Sequence, residues 1–233
     1  MVKRIYRGLL VLPVLLCSSV VFAQNNASNA VSGDLFFDNF KNDSTGDFPK
    51  HWLGNAKASV ELNKTYQGKW MRFSSQGTFS PVFEKALPES FVVEFDFIHE
   101  VNGTGNNSTE LTFFNQQKIS SLDADFPGHQ GIKLYFAEGM ISYLCYSNPD
   151  LSEHMAGENR NVPIDLHKKT SIRIEIQKKN VNVLINGAMA LKIQRSQRQQ
   201  ELFSTLRFNL WGSVAEPLIG NFRISDGNPS SRL

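Results

Sequence analysis

Cysteine is scarce: the 233 residues hold two, Cys17 and Cys145. Two are too few for a cysteine cluster or a disulfide framework, which leaves burial of apolar surface as the source of stability. A dominant sign of charge is lacking as well, with 24 Lys and Arg against 22 Asp and Glu. No basic stripe runs among the aromatics, so no nucleic-acid partner is expected. There is no Gly-x-Ser-x-Gly elbow, no His-Glu-x-x-His and no phosphate-binding glycine loop. The commonest signatures of acyl transfer, metalloproteolysis and nucleotide binding are therefore missing. The histidines, at positions 51, 99, 129, 154 and 167, share no metal-ligand spacing and read as surface or loop residues.

Long apolar runs are confined to the N-terminus. Lys3, Arg4 and Arg7 precede an apolar stretch that continues to Val20-Val21-Phe22, and Val21-Phe22-Ala23 suits signal peptidase. Residues 1–23 are expected to be a cleaved signal peptide. The stretch is interrupted by Pro13 and serines and falls short of the ~20 residues that span a bilayer. Leu15 and Leu16 before Cys17 do not suit a lipoprotein signal. Without the three leader cations, 21 of the 24 cations remain against 22 acids. The expected product is an exported, nearly neutral protein with no membrane span after cleavage, located in the periplasm, at the outer membrane or outside the cell. Cys145 then stands alone and reads as a small buried hydrophobe.

The pattern that is present belongs to strands. Phe91, Val93, Phe95 and Phe97 alternate with Val92, Glu94, Asp96 and Ile98, the period of a strand laid over a core. Shorter alternations recur from residue 34 to 226, and Asn186-Gly187 is the strongest hairpin signal. Residues 24–33 read as a flexible linker and 227–233 as a polar tail. Residues 116–131 and 148–163 read as irregular polar loops, and 194–201 as the one segment suited to a helical turn. About thirteen strands without a long helix predict an all-β protein, a single antiparallel two-sheet jelly-roll sandwich over 34–226. Two tandem immunoglobulin-like domains fit less well, for want of a mid-chain linker and a Cys, Trp, Cys spacing.

Several segments together resemble the concanavalin A-like lectin and glucanase superfamily, which includes laminin G-like jelly rolls. They are Phe37-Asp38-Asn39-Phe40, Gly46-Asp47-Phe48-Pro49 with Trp52, the strand at 91–97, Val183-Leu184-Ile185-Asn186-Gly187, and Ile219-Gly220-Asn221-Phe222-Arg223-Ile224. Their order is similar to the sandwich domain that precedes the peptidoglycan-binding domain in some OmpA-type envelope proteins of Bacteroidetes. The resemblance covers 34–226. It implies that the first strand, 35–40, pairs with the last, 219–225, and that one concave sheet is where sugar is bound or cut.

Strand parity sends Glu94 and Asp96, Lys133 and Tyr135, and Arg207, Asn209 and Trp211 away from the core. An aromatic beside carboxylate, amide and guanidinium groups suits a saccharide, so a polysaccharide or cell-envelope glycan is the expected partner. The competing reading of the same residues is a solvated cross-strand charge pattern. Related glucanases carry two glutamates four or five residues apart on one strand. Here Glu94 and Glu100 are six apart, at ~3.3 Å per residue too far for a retaining pair ~5 Å apart. No catalytic residue is assigned. A glycoside hydrolase using Glu94 and Asp96, or a purely structural envelope protein, are the alternatives to a non-catalytic glycan binder. No cofactor is expected beyond a structural Ca²⁺ at Asp123 and Asp125 or at Asp38 and Asp226, residues that equally suit turns.

Overall fold

Phe91, Val93, Phe95 and Phe97 are all at most 3% exposed, as their spacing requires of one strand face. The strand that carries them sits at the centre of a β-sandwich in a computed structural model, which describes residues 33–100, 108–115, 124–147, 154–165, 167–196, 202–211 and 216–227. In chain order its strands are β1 (Asp34–Asp38), β2 (Trp52–Gly54), β3 (Ala58–Leu62), β4 (Lys69–Phe73), β5 (Gly77–Pro81), β6 (Phe91–Ile98), β7 (Ser108–Phe114) and β8 (Gly131–Ala137). They continue as β9 (Met140–Tyr146), β10 (His154–Asn159), β11 (Lys169–Ile176), β12 (Asn180–Ile185), β13 (Ala188–Gln194), β14 (Thr205–Trp211) and β15 (Leu218–Asp226).

Eight strands form one sheet in the order β13-β12-β11-β6-β15-β4-β3, with β1 also paired to β15; the other seven run β10-β9-β8-β7-β14-β5-β2. The first and last strands meet antiparallel, with Phe37 opposite Arg223 and Asp38 opposite Phe222. Phe95 locks the layers together, edge-on to Phe136 of β8 and Phe208 of β14 at 6.1 and 5.4 Å between ring centroids. At the hairpin between β12 and β13, Asn186 and Gly187 have φ of 50° and 80°, the left-handed pair that a two-residue turn needs to match strand twist.

The expected all-β sandwich is the observed fold, with fifteen strands among the described residues where about thirteen were anticipated, and no helix among them. One of the unanticipated strands, β10, lies within the 148–163 segment read as a loop. Its polar sequence alternates between exposed and half-buried positions, and it is held by a continuous backbone ladder to β9 from His154 opposite Tyr146 to Asn159 opposite Ile141. An edge strand of this kind needs a partner backbone more than an apolar face. Residues 197–201 of the anticipated helical turn, the leader, linker residues 24–32 and tail residues 228–233 lie outside the described residues. Among those described, no helix is long and apolar enough to cross a membrane.

His99 corrects another expectation. It follows β6 directly and is 2% exposed, inside the sandwich and beside the Phe97 ring at 5.8 Å. It is not a surface residue, because the alternation that buries Phe95 and Phe97 continues through it.

Cys145 is buried on β9, and desolvation pushes its thiol up to about 12, since burial penalises the thiolate. Iodoacetamide at mildly alkaline pH is expected to leave the native thiol unmodified and to alkylate it fully in denaturant. Mass spectrometry would read the difference, and fast native labelling would show that the β9 face is open.

Candidate functional site

The seven residues predicted to share one face are divided between the two sheets. Glu94 and Asp96 project from β6 in the eight-stranded sheet, whereas Lys133 and Tyr135 on β8, with Arg207 and Asn209 on β14, belong to the seven-stranded sheet. The core lies between the two sets, so they do not form a single site. Parity along a strand tells which side of its own sheet a residue takes and says nothing about which sheet that is. Trp211 closes β14 opposite Ser108; its side chain lies outside the described part of the structure.

On the seven-stranded sheet the predicted residues do come together, but Lys133 and Arg207 are 2% and 1% exposed, so for them neither an open binding face nor the competing solvated charge pattern holds. They surround Glu110, a fully buried carboxylate opposite Tyr135 on the neighbouring strand. Glu110 accepts hydrogen bonds from Lys133 Nζ at 3.1 Å and Thr112 Oγ1 at 2.5 Å. Burial, followed by the charge of Glu110, raises the Tyr135 phenol well above its ordinary value.

Residues 124–130 close over this cluster. Arg207 donates to the carbonyl of Ala124, Tyr146 Oη to that of Pro127 at 2.6 Å, and Lys133 Nζ lies 4.4 Å from the centroid of Phe126. Asn115 Oδ1 holds the strap by accepting from the amides of His129 and Gln130 at 3.1 and 2.8 Å. Gly128 is required there: its φ is +70°, and a Cβ would stand 1.8 Å from the Asn115 carbonyl.

The carboxylates proposed for calcium have other surroundings. Asp38 is buried, its Oδ1 accepting from the Phe40 amide at 2.7 Å and its Oδ2 from Trp52 Nε1 at 3.0 Å. Desolvation raises its pKa despite those bonds. Asp226 ends β15 opposite Phe91, Asp125 lies near Lys133, and Asp123 is outside the described residues. Among the described residues no three His, Cys, Asp or Glu side chains converge to hold a metal ion.

An open site that holds predicted residues lies on the eight-stranded sheet. A groove of ≈ 440 Å³ runs over its outer face, lined by Glu94 and Asp96 together with Phe37, Ser171, Arg173, Asn221 and Arg223. Register explains the assembly: Phe37 of β1 faces Arg223 of β15, Arg223 faces Glu94 of β6, and Glu94 faces Arg173 of β11. One step along, Asp96 faces Ser171. A bulge in β15 between Gly220 and Arg223 releases Asn221 from the ladder, in a left-handed conformation with φ of 50° that asparagine tolerates. Its amide then donates to Asp96 Oδ2 at 2.8 Å. Asp96 also accepts from Ser171 Oγ at 3.0 Å and Lys169 Nζ at 3.5 Å, while Arg173 donates to Glu94 at 2.5 Å and Glu175 at 2.9 Å. Glu100 is held elsewhere, by Arg72 at 2.7 Å, and does not line the groove.

Five of these lining residues, Phe37, Ser171, Arg173, Asn221 and Arg223, were missed from sequence. The alternation of Ser171 and Arg173 with Ile172 and Ile174 was available as a signal that they point outward. The pairing of β1 with β15 was expected from the resemblance, but that β6 would lie between β15 and β11 was not.

No protein-family model matches the sequence, and no curated protein matches it. Among solved structures, the fold is similar to the carbohydrate-binding module CBM66 from Bacillus subtilis, with a TM-score of 0.50 and 15% identity over 76% of this chain and 96% of that one. The carbohydrate recognition domain of Emp47p gives 0.55 and 13%, covering 84% and 94%. The botulinum neurotoxin serotype D binding domain gives 0.59 and 15% over 86% of this chain, which spans about half (49%) of the toxin domain. At these identities the likeness shows the fold alone, an antiparallel two-sheet β-sandwich.

Proposed function

We propose that the protein is an exported, non-catalytic glycan-binding sandwich of the concanavalin A-like type, acting at the cell envelope or beyond, with its sugar on the outer face of the eight-stranded sheet. The observation that carries this reading is the groove in which Asp96, Asn221, Ser171, Arg173 and Arg223 converge beside the Phe37 ring. Planar polar groups fixed by mutual hydrogen bonds present donors and acceptors to ring hydroxyls without having to be ordered first, and an aromatic ring takes the C–H face of a sugar. Two of the structural relatives are carbohydrate-binding by name, which supports the reading without identifying the sugar.

A glycan array followed by calorimetric titration tests it. Asp96→Ala frees Asn221 and Ser171 from their common acceptor and is expected to weaken binding about tenfold, or roughly 1.4 kcal/mol. Lys179→Ala, in the exposed turn before β12, is expected to bind as the parent does. A blank array, or undiminished binding by Asp96→Ala, would remove the proposal.

A further inference from the structure

The charges along the groove are unequally satisfied. Arg173 divides its donors between two carboxylates, and Asp96 is held by three donors. Arg223 stands apart. Its guanidinium lies 4.8 Å from the Phe37 ring centroid, and its one ion contact among the described residues, from Nε to Asp34 Oδ2, is 3.8 Å long, beyond hydrogen-bond range. Among the described residues the Arg223 side chain makes no hydrogen bond, and it is 31% exposed. Glu94 faces it across the strand pair but gives its bond to Arg173.

We infer that the groove selects an acidic sugar, one bearing a carboxylate or sulfate, and that Arg223 takes the oxyanion. This rests on the glycan-binding reading above. A guanidinium resting on an aromatic ring has lost freedom before any ligand arrives, and its fork matches the oxygens of a carboxylate or sulfate. Phe37 fixes Arg223 from the neighbouring strand β1, and Asn221 stands two residues before it in the bulge. Because the Asn221 amide nitrogen is committed to Asp96, its carbonyl oxygen is left to accept from a hydroxyl of the same ring. An acidic sugar is therefore read at two points, the charge by Arg223 and a hydroxyl by Asn221. A neutral sugar leaves the open donors of Arg223 with water and gains nothing from the charge.

Calorimetric titration of the full chain with matched pairs tests the inference. One arm compares an oligogalacturonate with its methyl ester, and the other a sulfated galactan oligosaccharide with its desulfated parent. In at least one arm the charged form is expected to bind about tenfold more tightly, with a preference that shrinks in high salt. The arm that shows it distinguishes carboxylate from sulfate. Arg223→Gln is expected to bring the charged-to-neutral ratio within about twofold, and Arg223→Lys to leave it intermediate because charge is kept and the fork is lost. Equal binding of charged and neutral forms in both arms overturns the acidic-sugar inference and leaves the glycan-binding reading standing. A preference that survives Arg223→Gln overturns the role of Arg223. No binding to any of the four overturns the inference, and a blank glycan array besides removes the reading beneath it.

Discussion

Acidification from neutral pH to about pH 4 is expected to destabilise the protein by about 3 kcal/mol through His99 alone. Burial, and then the charge of His167, depress the imidazole from 6.5 to about 4. Its buried Nδ1 finds no hydrogen-bond partner among the described residues, so a proton there would be unshared. Between the two values the unfolded chain binds a proton that the folded protein refuses. Stability is therefore full above the unfolded value of 6.5, falls as pH drops through the interval, and levels off below about 4. Carboxylates titrate over part of the same range, so the test is a difference. Denaturant unfolding of the parent and of His99→Leu is compared at several pH values, and the variant is expected to lack this part of the slope. Parallel curves for the two proteins would show that His99 protonates freely in the fold.

Glu110→Leu is expected to destabilise the fold by about 3–5 kcal/mol. Lys133 and Arg207 are then left beside one another in the interior without the carboxylate that holds Lys133 at 3.1 Å. Burial already lowers the Lys133 pKa, and Glu110 is the chief influence opposing that shift. The companion variant Glu110→Leu with Lys133→Met removes both members of the pair and is expected to regain much of the loss, because an apolar pair of similar volume no longer carries the desolvation of two ions. Urea midpoints of the single and double variants decide the matter. A single variant within about 1 kcal/mol of the parent would mean that water reaches the cluster beneath residues 124–130.

What could be read in advance was local. The Phe91–Ile98 alternation predicts its own buried and outward faces, and Asn186-Gly187 predicts its turn, because in each case neighbouring residues determine the geometry. The β10 strand is not legible in this way, because its ladder comes from β9 and its own residues carry no apolar period. His99, a polar residue at the end of a buried strand face, looks in isolation like a strand edge.

The binding face shows the same division. From the sequence alone, Glu94 and Asp96 had to leave the core on the side opposite Phe95, as Lys133 and Arg207 had to leave it opposite Leu134 and Phe208. Which outward residues share a surface was decided only by the tertiary structure. It joined Asp96 to Ser171 and Asn221 across separations of 75 and 125 residues, and placed Lys133 and Arg207 beyond the core under a strap of chain. The reason is physical: a side chain's direction follows from the backbone beside it, whereas the neighbours of a strand are chosen by whichever distant segments complete its hydrogen-bond ladder and cover its apolar face.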